Sequence, residues 1–155
     1  MHTHWLQEIQ TYLQSTNYEV QAKDQELFIR AKDSEQSLLL QISFVSLPEA
    51  PEKQIAHFVI PFGLEIPDQY WLKAAQVISE FNRTSPQGAF SISEQSHPFY
   101  DYALQIPTHG ESALNIFEAI QMSFLFAGHF MQIMQEKLRD WILPAKSLGL
   151  QMGAA

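Results

Sequence analysis

The spacing of apolar side chains changes several times along the chain, and each change marks a boundary between elements. Trp5, Leu6, Ile9, Tyr12 and Leu13 recur at helical intervals while Gln7, Glu8, Gln10 and Gln14 take the opposite side, which predicts an amphipathic helix over the first fifteen residues. It stops near Thr16-Asn17, because Asn tolerates the left-handed geometry of a helix end and Tyr18 begins a period of two. Tyr18, Val20 and Ala22 alternate with Glu19, Gln21 and Lys23, and Asp24-Gln25 turns the chain into a second strand, Leu27 to Ala31. Leu38, Leu40, Ile42 and Phe44 define one face of a third strand, completing a meander. Pro48 and Pro51 bracket an acidic loop before a fourth strand, Ile55 to Phe62, in which Pro61 lacks a ladder donor and so marks an end or an edge.

Pro67-Asp68 reads as a helix start, with the Asp68 carboxylate placed to cap free amides, and Trp71, Ala74, Ala75, Ile78 and Phe81 form the apolar stripe that follows. The polar run from Asn82 to Gly88 is a turn, after which Phe90 and Ile92 begin a fifth strand. Tyr100, Tyr102, Leu104 and Ile106 alternate with Phe99, Asp101, Ala103 and Gln105 to give a sixth. Thr108-His109-Gly110-Glu111 fits a capping box, opening a terminal helix whose stripe runs Ala113, Phe117, Ile120, Phe124, Ala127, Met131, Met134, Leu138 and Trp141 until Pro144 ends it. The order α-β-β-β-β-α-β-β-α is that of an α+β protein: an antiparallel sheet packed with helices, one domain over 1–144 and a loosely ordered tail over 145–155.

That last helix carries the strongest functional signal. About thirty residues at 1.5 Å each span roughly 45 Å, against a diameter of about 40 Å for a compact domain of this size. Ile116, Met122, Phe126, Phe130 and Ile133 form a second apolar set away from the main stripe. Either the helix kinks near Gly128 or a partner covers part of it, and a symmetric homodimer is the commonest way to supply that partner. Met122, Phe126, Phe130 and Ile133 are the candidate partner-binding residues.

Composition narrows the chemistry. The chain of 155 residues carries nine Lys plus Arg against seventeen Asp plus Glu, a formal charge of −8, which repels nucleic-acid phosphates and anionic lipid. Neither nucleic acid nor membrane is an expected partner. The absence of cysteine excludes disulfides, thiol catalysis and Cys-ligated metals. The most apolar stretch, 113–130, is interrupted by Asn115, Glu118, Gln121, Ser123 and His129, too many polar groups for a lipid-spanning helix. The first fifteen residues lack the pattern of a secretory leader, and a cytoplasmic location follows as the expectation.

No catalytic, cofactor or metal motif stands out. His2 and His4 have no third ligand nearby, His57 alternates with Ile55 and Val59 as a half-buried strand residue would, and no helical His pair is encoded. His97, Asp101, His109 and Glu111 are the best acid–base cluster, although Glu111 already has a capping role. There is no G-x-S-x-G elbow, S-x-x-K or glycine-rich phosphate loop. The alternative to protein binding is a small-molecule or enzymatic pocket near His97, Phe99 and Tyr100, enclosed by a curved sheet.

The element order, with Phe81-Asn82-Arg83, Gly88-Ala89-Phe90 and the strand Tyr100 to Pro107, resembles the type III secretion chaperone-like fold and, within it, the YbjN-like proteins. Asn82, Phe90 and Tyr102 occupy the positions of the turn Asn, the inward aromatic of a short strand and the second alternating strand. The resemblance implies a small acidic cytoplasmic protein, commonly dimeric, that acts by binding. As in secretion chaperones it would hold a segment of a client protein, or serve a YbjN-like regulatory role, without a cofactor.

Overall fold

Helix α1 (Thr3–Gln14) ends where Ser15 Oγ and Thr16 Oγ1 donate to the carbonyls of Tyr12 and Leu13, at 2.7 and 2.6 Å, satisfying acceptors that the helix leaves open. In this computed structural model, which describes residues 3–32, 38–107, 112–140 and 142–144, strands β1 (Tyr18–Lys23) and β2 (Glu26–Ala31) follow at once. Asp24 and Gln25 between them have φ of 51° and 66°, the signature of a two-residue turn whose twist matches that of the strands.

Strands β3 (Leu39–Leu47) and β4 (Ala50–Pro61) complete the meander. A two-residue strand β5 (Leu64–Glu65) and a turn of 3-10 helix lead into α2 (Trp71–Thr84). Strands β6 (Ala89–Ile92) and β7 (Pro98–Pro107), helix α3 (Ser112–Lys137) and a short β8 (Leu143–Pro144) close the chain. All pairings are antiparallel: the main sheet runs β1-β2-β3-β4-β7-β6, and β5 pairs with β8. This is the expected α+β architecture with the two shortest strands added.

Alternation sends Leu27, Ile29, Leu40, Ile42, Phe58, Ile60, Phe90 and Tyr100 to one side of the sheet, where they join Ile9 and Leu13 of α1, Ala74 and Ile78 of α2, and Ile120, Phe130 and Met134 of α3 in one core. Helix α1 lies by β1, α2 by β6, and α3 across β4 and β7. All three helices therefore cover the same side of the sheet.

Several expectations are corrected. Strand β4 begins at Ala50, so Pro51 lies inside it; the register jumps from Ser46↔Gln54 to Leu47↔Ala50, and Pro51 falls in the bulge, where its missing N–H breaks no rung. Pro61 ends β4, which is an interior strand rather than an edge. Asp68 makes no side-chain cap to its helix; its Oδ1 accepts from Ser96 Oγ at 3.4 Å, while Trp71 Nε1 donates to the Ile66 carbonyl at 3.1 Å and pins the helix start to the β5 loop. Val77, not Ala75, is on the buried stripe of α2. Helix α3 has 26 residues, about 39 Å of length, shorter than expected because the chain leaves it before Arg139. The capping box Thr108–Glu111, Trp141 and the tail from 145 lie outside the described residues.

Candidate functional site

The outer side of α3 is what remains after the helix has turned its main apolar stripe into the core. Phe130 is fully buried: its ring stacks on Phe90 with centroids 3.8 Å apart and touches Phe62 and Phe81 at 5.4 and 5.1 Å. It is therefore withdrawn from the candidate partner contacts, as is Ile116 from the outward-facing set, because the core takes these two residues of the second set along with the main stripe. On one shoulder Phe117 meets Tyr12 edge-on at 4.5 Å and Phe124 stacks on Tyr18 at 5.5 Å.

What stays outside is smaller than the sequence suggested. Met122 and Leu125 are 36% and 62% exposed, Phe126 and Ile133 are half-buried, and exposed Leu114 lies about two turns further back. Met122, Leu125, Phe126, His129 and Ile133 follow spacings of three, one, three and four, so they form one continuous ridge. The His129 ring is 5.8 Å from Phe81 of α2, which places the ridge beside the α2–α3 junction. Exposed Glu118 and Glu136 lie on the same side of the helix.

The side of the sheet away from the helices carries polar groups that the sequence reading did not connect. Glu26 accepts from Gln41 Nε2 at 2.8 Å and Ser43 Oγ at 3.2 Å, and His57 Nε2 lies 3.4 Å from Asp101 Oδ2. Ser43 stands opposite His57 in register, so serine, histidine and aspartate fall side by side on three neighbouring strands. They do not form a hydrolytic triad. The Ser43 hydroxyl is committed to Glu26 on β2, away from β4, and the His57–Asp101 pair is about 40% exposed on an open surface, where such pairs are worth about 0–1 kcal/mol. Alternation would have shown that these residues share a face; strand register, which brings them adjacent, is absent from the sequence pattern.

The small-molecule alternative is not assembled. Tyr100 points into the core, buried next to Phe90 with centroids 5.2 Å apart, while Phe99 projects from the opposite side and His97 sits in the preceding turn. Of the acid–base cluster, Asp101 turns to His57 rather than His97, and His109 and Glu111 lie outside the described residues. Among the described residues, no three His, Asp or Glu side chains gather as metal ligands, and no helix is long and apolar enough to cross a membrane.

The fold thus defines the class: a two-layer α+β protein with, among the described residues, three α-helices on one side of a six-stranded antiparallel sheet. No family model and no curated protein matches the sequence. Among solved structures the chain is similar to YbjN from E. coli, a suggested transcription regulator, with a TM-score of 0.54 and 12% identity over 90% of this chain and 96% of that one. The fold is therefore YbjN-like.

Proposed function

We propose that the chain is a non-enzymatic protein-binding module of regulatory or chaperone-like type, acting in the cytoplasm, whose ridge Met122-Leu125-Phe126-His129-Ile133 receives an apolar segment with basic flanks from another protein. The observation that carries this reading is the ridge itself: large apolar side chains of the second set remain exposed or half-buried on a helix whose main stripe packs into the core. Methionine and leucine adapt their shape to varied apolar partners. The basic flanks follow from Glu118 and Glu136 on the same side and from the formal charge of −8. The likeness to a suggested transcription regulator supports a regulatory role, and the same charge favours regulation through protein contact over DNA contact.

The test is affinity capture from native cytoplasm with the wild-type chain and with Leu125→Glu, followed by titration of each purified captured protein. The reading expects at least one protein that the wild type binds ten-fold or more tightly than Leu125→Glu. Equal affinity for both chains, or capture of nothing, overturns it.

A further inference from the structure

The two ends of the sheet are finished differently. At β6 the side chain of Asn82 closes the edge, accepting from the Phe90 N–H at 2.8 Å and donating to the Phe90 carbonyl at 2.9 Å. At the other end β1 pairs only with β2. Its Lys23↔Glu26 rung closes a two-residue hairpin, and Lys32 N donates to Asn17 O at 2.7 Å, so the odd-numbered residues of β1 bond inward to β2. The N–H and C=O groups of Val20 and Ala22 consequently point out of the sheet. Among the described residues no backbone group pairs with them there.

That open edge carries a charge pattern that reads as its own complement. Along β1 the side facing away from the helices presents Glu19, Gln21 and Lys23: negative, neutral, positive. A second copy running antiparallel presents positive, neutral, negative. With Gln21 on the twofold axis, Glu19 falls opposite Lys23 of the second copy, and Val20 opposite its Ala22, where the outward backbone groups exchange hydrogen bonds. Glu19 and Lys23 then occupy a non-hydrogen-bonded rung, in which side chains lie closest, about 4.5–5.5 Å between Cβ atoms. Glu19 already faces Arg30 across β1–β2, and Lys23 faces Glu26. Across the joined edge the row becomes Arg30, Glu19, Lys23 and Glu26, alternating in sign without a break.

We infer that β1 is a self-association edge: two copies of this chain join β1 to β1 antiparallel, in the register that sets Glu19 against Lys23, and make one continuous twelve-stranded sheet. The chain is strongly acidic overall, yet this edge is neutral and so escapes the general repulsion between copies. The side of α1 turned away from Phe117 carries Gln7, Gln10 and Gln14, so the helix over this end of the sheet brings no like charge toward its counterpart. The expected homodimer thus forms through β1 rather than through α3, independently of what the ridge binds.

Sedimentation of the full chain tests this. Wild type is expected to run at twice its 17.8 kDa mass at tens of micromolar. Glu19→Lys and Lys23→Glu should each weaken association ten-fold or more, and the two together should restore part of it, because the swapped charges again face opposite signs across the joint while each meets a like charge at Arg30 or Glu26 within its own hairpin. Ala22→Pro removes an outward N–H from an exposed position and should give a monomer with an unchanged circular dichroism spectrum. The chain has no cysteine, so Gln21→Cys alone should cross-link the dimer under mild oxidation, while Val20→Cys should not. A monomeric wild type, a charge swap that fails to restore association, or cross-linking at position 20 in place of 21 overturns the inference.

Discussion

Asn82, in the last turn of α2, uses its side-chain amide as a substitute strand for Phe90, making both backbone hydrogen bonds that a neighbouring strand would have made. One residue therefore ties helix to sheet and closes an edge that would otherwise invite pairing. Asn82→Ala is expected to cost about 1–3 kcal/mol, since it leaves a part-buried donor and acceptor unpaired. Urea denaturation would measure the loss, and the variant should also aggregate more readily at millimolar concentration.

Gly88 is held in place by Tyr100. Its φ is +74°, and a Cβ there would lie 2.5 Å from Tyr100 Cε2 and 2.6 Å from Cζ and the phenol oxygen, with the ring fixed in the core. Gly88→Ala combines left-handed strain with a clash that the ring cannot evade, and a loss of about 2–4 kcal/mol is expected. Tyr100→Phe in the same background should recover only a small part, because the ring carbons still block the site. Thermal melts of the wild type and the two variants would show this order.

Phe130 and Leu125 sit on the same helix with opposite fates. Truncating Phe130 to Ala removes a ring packed among Phe62, Phe81 and Phe90 and is expected to cost about 3–5 kcal/mol. Leu125→Ser changes an exposed position and should stay within about 0.5 kcal/mol. Comparable losses at both positions in guanidinium denaturation would contradict the assignment of one to the core and the other to the surface.

Burial pushes the Tyr100 phenol above its ordinary pKa of about 10, against a smaller opposite pull from the side chains of Ser123 and Gln87; Tyr18 is raised by burial too. The neutral phenol is favoured in the folded chain, so this contribution is fully present below the unfolded value. It is lost as pH rises from about 10 through the folded pKa, where the unfolded state sheds its proton first. Urea midpoints should fall with pH in that alkaline window, and fall less steeply in Tyr100→Phe.

The elements were legible in the sequence because their signals are local. The Asp24-Gln25 hairpin, the alternation along β7 and the stop at Pro61 each follow from a few neighbouring side chains and the backbone geometry they allow. The misplaced details had two sources: Pro51 entered a strand through a bulge opposite Ser46 and Leu47, a register that alternation does not specify, and Asp68 turned to Ser96, far along the chain. The candidate ridge was half-legible. Periodicity showed that α3 had more apolar surface than one stripe needs, while the burial of Phe130 depended on Phe90 and Phe81, brought together by folding.

The sequence by itself determined the order and type of the longer elements, the alternation of strand faces and the acidic, cysteine-free chemistry, since these depend on spacing and composition alone. Only the tertiary structure decided the strand order β1-β2-β3-β4-β7-β6, the pairing of His57 with Asp101, the closure of one edge by Asn82 and the exposure of the other at Val20 and Ala22. Register and packing are set by contacts between residues distant in sequence, where many pairings satisfy the same pattern and the best-filled core selects one.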